Sequence, residues 1–87
     1  MNPQLIQLTE RALSQIEPMA AQDWAPAESI RRQLNWCLAF ARGEEAKPAP
    51  GSFSMGMIAT REFDMYGDQP ELALLINQIQ REVESAV

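Results

Sequence analysis

The chain has no histidine and only one cysteine, Cys37, among its 87 residues. The missing histidine removes the commonest general base and the commonest metal ligand together. A lone cysteine excludes an internal disulfide. No Ser/His/Asp or Cys/His constellation can be assembled, no glycine-rich loop follows a strand pattern, and no ligand spacing suggests a metal. The sequence therefore predicts no catalytic residues, no cofactor and no metal site. Carboxylate pairs such as Glu62 with Asp64 are a weak substitute, because side chains two apart on a helix point apart. Long apolar runs are absent too, none approaching the roughly 20 residues that span a bilayer. The first residues, Met1 to Glu10, lack the basic and apolar regions of a signal peptide. The expectation is a cytoplasmic protein that does not associate with membrane.

Positive charge is also scarce, with seven Lys and Arg against twelve Asp and Glu, a formal net charge of -5. Up to Gly43 the two signs balance, so the whole deficit falls from Glu44 onward. Such a surface repels nucleic acid and anionic lipid; it suits solubility or a basic protein partner. What is abundant is apolar, 46% of residues against 22% charged, which is a globular composition. This length gives one domain, residues 1–87, with a modest core.

Periodicity predicts an all-α fold, a compact antiparallel bundle of about four helices with a Pro-rich loop between helices two and three. Asn2 and Pro3 form a helix entry, and Leu5, Ile6, Leu8, Ala12, Leu13 and Ile16 follow at helical spacing. Pro18 is expected either to stop this helix or, the preferred reading, to kink it, with the helix continuing through Met19, Ala20 and Ala21. Pro26 and Glu28 start helix two, whose stripe is Ile30, Leu34, Cys37, Leu38 and Ala41, with Gly43 as its stop. Trp36 and Phe40 widen that stripe, either as core or as an aromatic ledge for a partner. Residues 44–51 read as an exposed, flexible loop.

Helix three follows Ser52 or Ser54. A helical wheel from Met55 puts Ile58, Ala59, Phe63 and Tyr66 on one face and Met57, Thr60, Arg61 and Asp64 on the other. Gly56 weakens this helix by roughly 1 kcal/mol relative to alanine and signals either a close neighbour or a poorly formed first turn. Glu62 falls inside the apolar arc, which predicts a buried ion pair with Arg31 or Arg32. After Gly67, Asp68-Gln69-Pro70-Glu71 reads as an acidic cap with a glutamate three residues on. Helix four carries Leu72, Leu75, Ile76, Ile79 and Val83 inward, with Asn77, Gln78, Gln80, Arg81, Glu82 and Glu84 facing water.

Met57-Ile-Ala-Thr-Arg-Glu-Phe-Asp, followed by Asp68-Gln-Pro-Glu-Leu, resembles the immunity proteins that protect bacteria against a type VI secretion effector. That effector is an NAD(P)+ glycohydrolase toxin with an ADP-ribosyltransferase-like fold. Arg11-Ala-Leu and Arg32-Gln-Leu fit the same pattern, while the proline-rich linker and Met65-Tyr-Gly depart from it. The resemblance implies a non-enzymatic antitoxin that binds its cognate toxin and blocks the active-site cleft. Outward position and the projecting turn predict that Met57, Arg61, Asp64, Met65, Tyr66 and Asp68 reach that partner. Ile58, Glu62, Phe63 and Leu72 fit a structural role. The alternative is a small helical adaptor or regulatory protein, acting through protein contacts or as a homo-oligomer through Trp36, Phe40 and the methionines.

Overall fold

Asn2 caps the first helix as the sequence predicts, its Oδ1 accepting from the Leu5 N–H at 3.1 Å, with Pro3 at the first helical position. In the computed structural model, which describes residues 2–44 and 53–86, α1 spans Pro3–Ala20. It runs on through Pro18, an exposed position where the missing N–H costs one ladder bond and nothing in the core. Leu5, Thr9, Ala12, Leu13, Ile16 and Ala20 form the buried stripe. The only buried polar residue among those described, Thr9, donates its hydroxyl to the Leu5 carbonyl at 2.7 Å. The connection to the next helix passes through Asp23 at φ 59°, a left-handed position that Asp tolerates better than most residues.

Helix α2, Ala25–Ala41, buries Ala27, Ile30, Leu34, Cys37 and Ala41. Its end is a Schellman motif: the N–H of Gly43, at φ 76°, donates to Phe40 O and that of Glu44 to Ala39 O, both at 3.1 Å. The Asn2 N–H donates to Ala41 O at 2.8 Å, tying the start of α1 to the end of α2 and making the pair antiparallel. Trp36 and Phe40 stack at 5.5 Å and are half-buried, with Phe53 tilted against Trp36 at 5.6 Å. The expected ledge is therefore partly covered by this chain's own Phe53.

Helix α3 covers only Met55–Ala59, and the chain continues as a π-helical segment, Thr60–Met65. Helix α4, Pro70–Ala86, buries Leu72, Ala73, Ile76, Ile79 and Val83. The cap falls on Gln69, not on Asp68 as the acidic signal suggests: Gln69 O accepts from Leu72 N at 3.2 Å and Ala73 N at 3.3 Å. Proline at the first helical position sets the boundary, and Asp68 lies one residue too early to cap it.

The expected all-α bundle is what forms, with no strand among the described residues. Helix α1 lies between α2 and α4, and α3 with its π-helical extension closes the ring between α4 and α2. Ile16, Ile30, Leu34, Met55, Ile76, Ile79 and Val83 are fully buried, each worth about 1.5–3 kcal/mol over exposure. None of the described helices is long and apolar enough to cross a membrane. Except for Glu44, the predicted loop lies outside the described residues.

Candidate partner-binding surface

A helix of five residues cannot satisfy its own leading amides, so α3 depends on its neighbours. Gln33 of α2 supplies the cap: its Oε1 accepts from the N–H groups of Ser54 and Met55, each at 2.9 Å. Its Nε2 donates to Ser54 Oγ at 3.0 Å and Ser29 Oγ at 3.1 Å, which fixes the amide orientation. From the other side, Gln80 Oε1 accepts from Gly56 N at 2.8 Å. Asn77 Nδ2 lies within hydrogen-bonding distance of Gly56 O (3.2 Å), Thr60 Oγ1 (3.0 Å) and Ala73 O (2.9 Å). Glycine at position 56 lets α4 approach closely enough for these contacts. Of the two readings of Gly56, close approach is the one the structure bears out.

Beyond Thr60 the wider turn changes which residues face inward. Tyr66 N donates to Arg61 O at 3.0 Å, five residues back, and Gln69 N donates to Phe63 O at 2.9 Å. Phe63 is buried and meets the Trp24 ring edge-on, centroids 6.0 Å apart. Tyr66, which an ideal wheel places beside Phe63, is instead 75% exposed. Met57 and Met65 are 68% and 67% exposed, and Arg61, Asp64 and Asp68 are exposed as well. All six residues expected to reach a partner thus lie on the surface.

The expected ionic lock does not form. Glu62 is half-buried and accepts from Arg61 Nε at 2.9 Å, while Arg31 pairs with Glu28 one turn away at 3.2 Å and Arg32 is exposed. The π-helical register carries Glu62 to the rim of the interface, so no desolvated carboxylate needs an arginine from α2. Both observed pairs are partly solvated and contribute little.

Sequence reasoning missed Gln33, Asn77 and Gln80; it assigned the last two to the solvent face. The available signal was Gly56 itself, since a helical glycine expected to meet a neighbour calls for polar groups opposite it. Asn77 and Gln80, three apart on one face of α4, meet that requirement. Removal of the Gln33 cap is testable. Gln33→Ala is expected to cost about 1–2 kcal/mol, read as a lower urea midpoint, with the loss concentrated in hydrogen-exchange protection of Ser54 to Ala59. Unchanged protection there would exclude the cap.

No group of three or more His, Cys, Asp or Glu side chains among the described residues could hold a metal ion. Cys37 is fully buried, and desolvation pushes its thiol up to about 12 from an ordinary 9.0. The unfolded chain therefore loses this proton first. Stability is unaffected below about pH 9 and falls as pH rises from there towards 12. The steepest slope is about 1.4 kcal/mol per pH unit. Urea midpoints of wild type and Cys37→Ala, compared across that range, should converge as pH rises; parallel curves would contradict the shift.

No family model, curated protein or solved structure matches this chain.

Proposed function

We propose that this protein is an immunity protein that binds a cognate secreted toxin through the surface formed by α3, its π-helical extension and the following turn. The exposure of Met57, Met65 and Tyr66 beside Asp64 and Asp68 carries the reading. Three large apolar side chains left in water on a segment held by Gln33, Asn77 and Gln80 suit a docking face. Methionine adapts its shape to a partner, tyrosine is a frequent interface anchor, and the carboxylates steer the surface towards positive potential. A cleft that binds a dinucleotide pyrophosphate carries that potential, which fits the NAD(P)+-consuming toxin implied by the sequence resemblance. The protein acts by occlusion and performs no chemistry of its own.

The test is co-expression with the product of the adjacent gene, which the immunity reading expects to be a toxin. The expected result is rescued growth and a complex that survives purification. Asp64→Lys and Tyr66→Ala are each expected to weaken that complex at least about tenfold while leaving the helical circular dichroism unchanged. Absence of both rescue and complex would end the immunity reading. A complex indifferent to both substitutions would move the contact elsewhere on the molecule.

A further inference from the structure

A second surface lies on the seam between α1 and α4. It is a shallow groove of about 330 Å³ whose lining includes Leu8, Arg11, Glu71, Leu74 and Leu75. Leu74 is 68% exposed at its edge. We propose that this groove is a self-association surface, occupied by a second copy of the chain across a two-fold axis. The inference is independent of the toxin reading, since none of these residues belongs to the α3 surface.

The charges argue for the occupant. Arg11 and Glu71 line the same groove, yet no ion pair joins them among the described residues. A purely acidic partner would confront Glu71 with a like charge, and a purely basic one would confront Arg11. A surface carrying both signs satisfies both, and a two-fold interface supplies it by construction, because residue i meets j and j meets i. Arg11 of each copy then faces Glu71 of the other, with Leu74 inserted beside Leu8 and Leu75. The groove is locally neutral, so the net charge of -5 on the whole chain opposes the contact only through longer-range repulsion, which salt screens.

Sedimentation of the wild-type chain across a concentration series in moderate salt is expected to show a reversible shift from monomer to dimer. Leu74→Asp, at an exposed position, should abolish the shift without altering the circular dichroism. Arg11→Glu and Glu71→Arg should each weaken dimerisation about a hundredfold or more, the like-charge contact occurring twice. Mixing those two single variants should restore a heterodimer. One copy then carries glutamate at both paired positions and the other arginine at both, so each of the two contacts again joins opposite charges. A wild-type monomer at every concentration would overturn the proposal, as would a dimer indifferent to Leu74→Asp. Failure of the mixed variants to pair would do the same. If the chain stays monomeric and Leu74→Asp instead releases the toxin, the groove belongs to that partner.

Discussion

Gly67→Ala is expected to cost about 3 kcal/mol and to lower Tm by roughly 15 °C for a domain of this size. An added Cβ would overlap the Glu62 carbonyl oxygen and would sit 3.0 Å from Phe63 Cα and 3.2 Å from Phe63 O. All three are backbone atoms, so no side chain can swing aside to make room. The segment must open, and the Gln69 N–H to Phe63 O bond that leads into α4 opens with it. The same substitution displaces Met65, Tyr66 and Asp68, so affinity for the proposed partner should fall together with stability. Thermal unfolding followed by circular dichroism reads the first effect and titration calorimetry the second. A variant with wild-type Tm would show that the turn does not close as described.

Gly56→Ala tests a different kind of closeness. Alanine gains roughly 1 kcal/mol of helix propensity over glycine, yet the expected net result is a loss of about 2 kcal/mol. Its Cβ would lie 2.5 Å from Asn77 Oδ1 and 2.8 Å from Gln80 Oε1. Those side chains can move, but moving them breaks the bonds to Gly56 N and Gly56 O. The cost should therefore vanish where the clamp has already been removed. In an Asn77→Ala, Gln80→Ala background the added methyl should be neutral or stabilising, a double-mutant-cycle signature of direct contact. An equal penalty in both backgrounds would place the strain elsewhere.

The three long helices were legible in the sequence because their apolar residues recur with α-helical spacing. Asn2, Pro3 and Gly43 mark boundaries by local chemistry that needs no tertiary contact. Reading failed where those assumptions stopped holding. The wheel drawn from Met55 assumes one period throughout, and the π-helical register after Ala59 exposes Tyr66 and moves Glu62 to the rim. Its misplaced carboxylate then generated an ion pair with α2 that the molecule does not need. Asp68 looked like a cap because residue type was legible and the exact start of α4 was not.

The polar clamp was hidden for a further reason. Gln33, Asn77 and Gln80 look like any solvated residues on a helix, and only the placement of α3 gives them something to bind. The candidate surface fared better: outward position at Met57 follows from the α-helical first turn, and Arg61 and Asp64 stay exposed in the π-helical segment beyond it. Exposure of Met65 and Asp68 follows from their place in or beside the turn.

The dependence of α3 on amide side chains from α2 and α4 also orders the assembly of the molecule. The Gln33 cap and the Gln80 contact are both in place only when α2 and α4 have both docked, so the short helix is expected to form last and open first. In pulsed hydrogen exchange its amides should gain protection after those of α1, α2 and α4. The proposed docking face would then exist only on fully assembled molecules, and any partner that binds there would select completed folds.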